Sequence, residues 1–538
     1  MRRALTVAVV CAAACTGQIG EKGDLPPGAT RPGELTAVEP LARRLTREEY
    51  GHTIADVVGL TLDADALGVL PADRPIEGFA NIASGQTVLP DHVRGYASLA
   101  RTVVASPEFA AFRERLVDCA DTSAECARAT TEALGGRLFR RPIDERERAL
   151  YGGLFDTVAD EYADDPIAHE AAANAVAEAM LQSPGFLYLL EDELDGEGTR
   201  ELSGHELATR LSYALWASAP DEALLEAAAN GALDDPEGLA AEVDRMLADP
   251  RVDRVRERFV RDWARLESLP DDDGLEGELI ASAIAFYRDH LAEGGALFEL
   301  FDARSAVLTP ALAEGYGLEP VGDGLRTYDL TDVEGRAGLL AQPGIVAGMT
   351  NADGGEIVAR GLFLQRQVFC GSPPDPPASL QDAIDEFVAE QPEDASERDI
   401  AETRLMRSEC GACHSQFDPL AYGFERFDFR GRFRDSDDHG NELRVDGWIP
   451  ATYDEGGVEV GYGDFDAYVA LLADHPRVQR CFVQRHAEQA LGATLERGQL
   501  SAAAELADRL GPSGGHEDLM RLLVLSELFR LRAIPEDD

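Results

Sequence analysis

Basic side chains are scarce in this chain of 538 residues. It has 49 Lys and Arg residues against 100 Asp and Glu residues, which gives a formal net charge of −51. A surface of this charge repels phosphate backbones and anionic lipids. Nucleic-acid binding is therefore excluded as the main activity, and any membrane attachment must be covalent or apolar. Apolar residues make up 45% of the chain, which is enough to form buried cores and excludes global disorder.

Long apolar runs are absent after the first residues. No later stretch approaches the ~18 to 20 apolar residues that a transmembrane helix needs. An arginine pair precedes the short apolar run from Ala4 to Ala14, which is typical of a signal peptide. Small residues lead to Cys15 and resemble the lipidation site of bacterial lipoproteins. We expect an exported periplasmic or outer-membrane (cell-surface) lipoprotein, with a signal peptide at 1–14 and a tether at 15–36; secretion without a lipid is the alternative.

Several catalytic signatures are missing as well. The sequence has no G-x-S-x-G motif, no Walker A motif, no H-E-x-x-H motif and no dinucleotide fingerprint followed by a helix. These absences argue against hydrolases with a nucleophile elbow, P-loop NTPases, zinc proteases and nicotinamide-dependent enzymes.

Helical patterns dominate the chain. The capping boxes Thr46-Arg47-Glu48-Glu49 and Ser203-Gly204-His205-Glu206 each open an apolar stripe with helical spacing. Helical periodicity also marks 144–163, 167–182, 221–230, 237–248, 251–267, 279–293, 477–491, 501–510 and 517–531. Strand patterns are sparse and cluster at 443–462. The sequence predicts a mainly α fold of several packed helical modules with a small β insertion near the C-terminus.

One short string carries a specific chemical signal. Cys410-Gly411-Ala412-Cys413-His414 has the C-x-x-C-H spacing of c-type haem attachment sites. On one helical turn the two thiols can form thioethers with the haem vinyl groups, and the next residue brings its imidazole to the iron. The residue composition gives roughly 0.002 chance occurrences of this string. We expect one covalent haem c with His414 as the proximal ligand.

Two other uses of this motif stay open. Cys410 and Cys413 could form a disulfide, with His414 as a bystander. They could also supply part of a zinc site, although no second Cys or His pair at ligand spacing lies nearby.

The ligand on the opposite side of the iron is less well defined. Met349 lies in a Gly-rich segment whose backbone can approach an iron, although core packing is the usual role of a methionine. The other candidates are His439, His475, His486 and an open position. A thioether ligand favours electron transfer, whereas an open position favours peroxide or oxygen chemistry.

The remaining cysteines of the mature chain suit disulfides, because export exposes them to an oxidising compartment. Cys119 and Cys126 bracket a short loop and are expected to pair. Cys370 and Cys481 would then pair over a long range if Cys410 and Cys413 are used otherwise.

Charged side chains follow the haem string. Glu425 and Asp428 could act as an acid and a base, but capping or pairing with Arg430 or Arg434 is the expected role. These arginines could instead hold haem propionates, because a guanidinium group binds carboxylates in a bidentate manner.

The segment after the motif also carries a resemblance. Asp-Pro-Leu at 418–420, Gly-Phe-Glu at 423–425 and Gly-Arg-Phe-Arg at 431–434 resemble the planctomycete-specific cytochrome module of exported multidomain bacterial proteins of unknown function. Further segments that resemble these proteins lie at 45–59, 137–147, 181–191, 206–224, 336–346, 360–377 and 481–492. The resemblance implies a haem-bearing exported protein and no known substrate.

These observations divide the chain into expected modules. The Pro-rich segment at 372–377 and the acidic segment at 382–402 form a break just before the haem string. The modules are an N-terminal helical module (37–115), a second helical module (116–195), a central helical module (196–325), a cytochrome-type module (326–436), and the β insertion with a C-terminal helical module (437–538).

Three functions are compatible with the sequence. The first is a c-type haem protein that transfers electrons to or from a periplasmic or surface partner. The second is a haem-dependent oxidoreductase acting on a small molecule or a glycan. The third is a haem-free, disulfide-stapled surface scaffold or polysaccharide-binding lipoprotein. The sequence alone leaves open whether the protein is an enzyme.

Overall fold

A computed structural model describes residues 42–119, 121–191, 198–269, 274–292, 294–350, 356–373 and 381–534. The expected signal peptide, Cys15 and the tether lie outside these residues. Within the described ranges, no helix is both long enough and apolar enough to cross a membrane.

Helices form most of the described chain, which confirms the mainly α fold class. The first group is α1 Arg47–Val58, α2 Ala64–Leu67, α3 Pro90–Val104, α4 Pro107–Leu116, α5 Ala124–Leu138, α6 Glu145–Glu161, α7 Ala168–Leu181 and α8 Pro184–Leu187. The next group is α9 Gly204–Trp216, α10 Glu222–Ala229, α11 Pro236–Leu247, α12 Val252–Trp263, α13 Glu276–Ala292 and α14 Pro310–Gly315.

The second half of the chain continues this pattern with shorter helices around the haem string. These are α15 Pro343–Met349, α16 Glu356–Phe363, α17 Gln381–Ala389, α18 Glu397–Leu405, α19 Ser408–His414 and α20 Asp418–Ala421. The last helices are α21 Phe465–Asp474, α22 Pro476–Leu491, α23 Arg497–Leu510, α24 His516–Val524 and α25 Glu527–Arg530. A π-helical turn, Leu364–Val368, follows α16 directly.

The strands are short and form two-stranded antiparallel pairs. They are β1 Arg43–Arg44 with β2 Tyr188–Leu189, β3 Gly198–Glu201 with β8 Leu531–Ile534, β4 Ser305–Leu308 with β5 Arg326–Asp329, and β6 Gly447–Ile449 with β7 Val460–Tyr462. The β6–β7 pair is the expected insertion. The other pairs escaped the sequence analysis because segments of two to four residues are too short to show an alternating pattern.

Local chemistry explains where the helices begin and end. The capping box of Thr46 and Glu49 starts α1, and Gly59 ends it in a left-handed conformation. The pattern at 251–267 predicted a longer α12, but the helix ends at Trp263 because Arg265 adopts a left-handed backbone conformation with φ 57°.

The helices enclose two principal apolar cores. The first lies among α1 and α3–α8 and contains Tyr50, Phe109 and Phe155. The second and larger core runs through the central helices to the C-terminal ones and includes Trp216 and Trp263. The cytochrome-type segment contributes side chains such as Phe424 to the larger core, so the core anchors the chain that follows the haem string.

A buried ion-pair cluster joins the two cores. The fully buried carboxylate of Glu49 on α1 accepts a hydrogen bond from Arg43 Nη1 at 2.7 Å and another from Arg258 Nη1 of α12 at 2.8 Å. Burial opposes the ionisation of Glu49, but the charges of Arg43 and Arg258 outweigh it and lower the pKa of the carboxyl group to about 2. The ionised form is thus the one that holds α1 on α12.

We expect Glu49→Gln to lower the free energy of unfolding by about 3 to 5 kcal/mol, because it leaves two buried guanidinium groups without their counter-charge. The wild-type stabilisation should be present above pH 4.5 and should decline as the pH falls toward 2, since the folded-state pKa lies below the ordinary value. Urea denaturation at several pH values measures both effects.

Glu48→Gln is the matched control for this prediction. Glu48 pairs with Arg261 at 2.6 Å on a partly exposed surface, so its loss should cost about 1 kcal/mol or less. Equal losses for the two variants would contradict the role assigned to Glu49.

Candidate functional site

The haem string forms a short helix that lies close against the preceding one. Cys410, Cys413 and His414 belong to α19, which follows α18 after a brief turn. At Gly411 an added Cβ would overlap the carbonyl oxygen of Leu405 at the end of α18. Glycine at this position therefore allows the close approach of the two helices.

The two thiols of α19 are free in the structure. Cys410 and Cys413 are half-buried and lie three residues apart, so they are neighbours on the helix surface. The structure does not contain the disulfide between them that the sequence left open.

The other cysteines of the described chain form disulfides. Cys119 is bonded to Cys126, and Cys370 is bonded to Cys481, which are the pairs expected from the sequence. The second disulfide fixes α22 to the segment that follows the π-helical turn.

The imidazole of His414 is held by a buried carboxylate. Its Nδ1 lies 3.1 Å from Oδ1 of Asp418, whose side chain is fully buried. Arg404 donates to the other carboxylate oxygen of Asp418 from Nε at 3.0 Å and from Nη2 at 2.7 Å. An ionised carboxylate only accepts hydrogen bonds, so Nδ1 donates and Nε2 keeps its lone pair for a metal.

Apolar side chains on neighbouring elements remain uncovered. Met406, one turn before Cys410, is 89% exposed, and Ile384 and Val388 on α17 are exposed as well. Arg407 links α17 to α19, because its guanidinium lies 5.0 Å from the ring centre of Phe387. A flat apolar cofactor attached to α19 could cover such a surface.

The donor set fits haem c better than zinc. It offers two free thiols on one turn and an imidazole with an available nitrogen. The one group of three potential metal ligands found in the described ranges is Cys119, Cys126 and His169. Its two cysteines are bonded to each other in a disulfide, so their sulfur atoms are not thiolate ligands. Among the described residues, no further ligands join those of α19 to complete a zinc site.

The charged residues after the motif stabilise the local fold. Asp428 accepts hydrogen bonds from the backbone N–H groups of Arg430 and Arg432, both at 2.9 Å, which closes a turn. Arg434 pairs with Glu356 at 2.8 Å, so it is engaged within the protein.

Glu425 is buried beside Arg398, at 3.3 Å. Burial raises the pKa of Glu425 to about 7, even though Arg398 lowers it. Glu425 and Asp428 thus make pairing and capping contacts, but the partner of Glu425 is Arg398 rather than the expected Arg430 or Arg434.

Arg360 is an important residue that the sequence analysis missed. It is fully buried on α16 and donates to the carbonyl oxygens of Phe424, Phe427 and Asp428 at 2.8 to 3.0 Å. The signal in the sequence was a single arginine within the otherwise apolar segment Ile357–Phe363. Arg360 fixes the loop that follows the haem string.

The candidate distal ligands lie in different surroundings. Met349 ends α15 and is buried in the larger core. His486 is also buried there, with Nε2 at 2.9 Å from Tyr287 Oη and Nδ1 at 2.8 Å from the carbonyl oxygen of Phe482. His475 accepts a hydrogen bond at the start of α22.

The last candidate, His439, is exposed in a turn. In the described ranges, none of the four shows a hydrogen bond or ring contact with His414. The identity of the distal ligand stays a prediction.

A helical chain with a C-x-x-C-H helix, free thiols and an oriented histidine defines a cytochrome-type module. Family models match four segments of the chain, each described as a protein of unknown function. They are DUF1587 (PSD3) at residues 43–106, DUF1595 (PSD5) at 126–191, DUF1592 (PSD4) at 202–318 and DUF1588 (PSCyt3) at 336–437.

The chain is therefore a multidomain protein of these families that carries a planctomycete-specific cytochrome module. Its cytochrome-like match contains α19 and suggests haem c and an extracytoplasmic protein. No curated protein and no solved structure matches the chain.

We expect Gly411→Ala to destabilise the module by about 1 to 3 kcal/mol, because its new methyl group overlaps the carbonyl of Leu405. Chemical denaturation followed by circular dichroism measures this loss. Ala412→Gly, at the exposed neighbouring position, is the control and should cost about 1 kcal/mol through helix propensity. A Gly411→Ala variant as stable as the wild type would contradict the close packing of α19.

Proposed function

We propose that this protein binds one haem c covalently through Cys410 and Cys413, with His414 as an iron ligand, and that it transfers electrons to or from an extracytoplasmic partner. The observation that supports this most is the hydrogen bond from His414 to Asp418 beside two free thiols on the same helix. A scaffold without a cofactor would have no need for a histidine oriented in this way.

The surrounding residues suit a one-electron carrier. When bound, haem supplies an iron that gains and loses one electron. Asp418 and Arg404 hold the imidazole of His414 in one orientation, which limits reorganisation when the charge changes. The half-exposed α19 leaves this site near the surface, where a redox partner can approach.

The overall charge and the N-terminal sequence add the cellular setting. A net charge of −51 favours a partner with a positively charged docking face and speeds their encounter at low ionic strength. The segment 1–14 and Cys15 support export and a lipid anchor in the periplasm or at the cell surface.

A haem-dependent oxidoreductase is the second candidate. The engagement of both ring nitrogens of His486 removes one distal ligand candidate, which favours an open position on the iron. An open position would permit reactions with small molecules. Cyanide distinguishes the candidates, because a six-coordinate low-spin carrier should show no spectral change, whereas an open site should bind it.

We expect exported, matured protein to show a haem spectrum that survives denaturation and a mass increase of one haem. Cys410→Ala combined with Cys413→Ala should abolish both signals, because no thioether can form. The control is Cys119→Ala combined with Cys126→Ala, which removes two thiols elsewhere and should retain the haem. Wild-type protein with the mass of the bare chain would refute the proposal and favour a scaffold.

We expect Asp418→Asn to raise the reduction potential of the haem by tens of millivolts. The carboxylate increases electron density on His414 and stabilises the ferric state, whereas an amide does so less. Spectroelectrochemical titration measures the shift. Asp435→Asn, which removes the same charge at a side chain that is 89% exposed, should leave the potential nearly unchanged. Equal shifts in the two variants would contradict a specific role of Asp418.

A further inference from the structure

A large cleft lies apart from the haem string. Its volume is about 970 Å³, and its walls come from segments 73–80, 261–268, 366–373 and 484–500. These segments belong to the N-terminal, central, cytochrome-type and C-terminal parts of the chain. No residue of α18, α19 or α20 lines this cleft. A cleft between four parts of a protein, of this size, is the kind of place where small molecules bind.

Four arginines line the cleft, and one of them, Arg261, pairs with Glu48 at 2.6 Å. Arg485 is almost completely buried and is fixed by Glu488 at 2.7 Å, by the carbonyl oxygen of Arg366 at 2.7 Å and by Glu77 Oε2 at 3.3 Å. The guanidinium groups of Arg265 and Arg366 make no hydrogen bond or ion pair with any residue in the described ranges. Two arginines without partners are unexpected in a chain that has about twice as many acids as bases.

The arginines repel one another. Burial lowers the pKa of Arg265, and the nearby charges of Arg366 and Arg485 lower it further, whereas the charge of Glu77 raises it. A cluster of like charges in a partly desolvated cleft is unfavourable unless an anion compensates it. The guanidinium groups of Arg265 and Arg366 are thus available to hydrogen-bond a bound anion.

The backbone around the cleft is strained. Glu77, Arg265 and Cys370 have φ values of 51°, 57° and 47°, and they account for three of the five non-glycine residues with positive φ in the described ranges. All three line the cleft. Arg366 lies in the π-helical turn Leu364–Val368, a conformation that is frequent at functional sites. Strain of this kind persists where function requires a fixed geometry.

Hydrogen-bond acceptors accompany the arginines. The carboxyl groups of Glu77 and Asp262 line the cleft, together with the polar side chains of Ser268, Gln484 and Thr494. Guanidinium groups bind carboxylates in a bidentate manner, and carboxylate and amide oxygens accept hydrogen bonds from hydroxyl groups. The cleft is also far larger than a single inorganic ion requires. This combination suits an organic anion that carries several hydroxyl groups.

We propose that this cleft is a binding site for a hydroxylated carboxylate of the sugar-acid class, with Arg265 and Arg366 binding its carboxylate. Glu77, which Arg485 holds through Oε2, accepts hydrogen bonds from the ligand's hydroxyl groups through its other carboxylate oxygen. The proposal does not depend on the haem, because the lining residues do not include the attachment motif.

Isothermal titration calorimetry on the full mature chain tests the site. The probes are D-glucuronate and a galacturonate trisaccharide, with glucose and inorganic sulfate as comparison ligands. We expect at least one sugar acid to bind more tightly than both comparison ligands. Arg265→Gln and Arg366→Gln should each raise its Kd by at least about tenfold, since each removes a charged hydrogen bond.

Arg288→Gln is the matched control, because Arg288 is an exposed arginine paired with Asp289 outside the cleft. It should leave the Kd unchanged. Without ligand, Arg366→Gln should melt at the same or a higher temperature than the wild type, since it relieves repulsion. The proposal is overturned if no sugar acid binds, if glucose or sulfate binds as tightly, or if both cleft variants bind like the wild type.

Discussion

A buried guanidinium group needs hydrogen-bond acceptors, and this requirement determines many of the contacts between distant segments of the structure. Lys22 is the single lysine of the chain, so 48 of its 49 basic residues are arginines. Many of them are buried, where an unpaired donor is unfavourable. Arg140 illustrates the consequence, because its guanidinium donates to the carbonyl oxygens of Gly185, Phe186 and Tyr188. One side chain thereby holds the end of α8 and the start of β2.

The same constraint acts on the cytochrome-type module. Arg360 donates hydrogen bonds to three carbonyl oxygens of the loop after the haem string, and Arg404 donates to the carboxylate of Asp418. Asp418 in turn orients His414. The geometry of the proposed iron ligand thus depends on a short chain of charged contacts behind it. This arrangement separates the exposed face of α19, where the chemistry would occur, from a buried face that sets its orientation.

Local patterns in the sequence predicted the parts of the structure that depend on local physics. The capping boxes at Thr46 and Ser203 start helices, and the C-x-x-C-H spacing places both thiols on one helical turn. Contacts between distant segments were not predictable in this way. The partners of Arg360, the pairing of β3 with β8 and the cluster around Glu49 depend on how the chain folds back on itself. No spacing along the sequence encodes these partners.

The proposed haem site and the proposed binding cleft use arginine in opposite ways, which bears on what each can do. Around Asp418 the positive charge is paired within the protein, so it stabilises a fixed arrangement. In the cleft, Arg265 and Arg366 lack such partners in the described structure, although acids are abundant in the chain. Acidic side chains such as Glu77 and Asp262 line the same cleft, but neither forms an ion pair with Arg265 or Arg366 in the described structure. Because these two guanidinium groups make no direct hydrogen bond within a strained backbone, they are better suited to bind an anion than to support the fold.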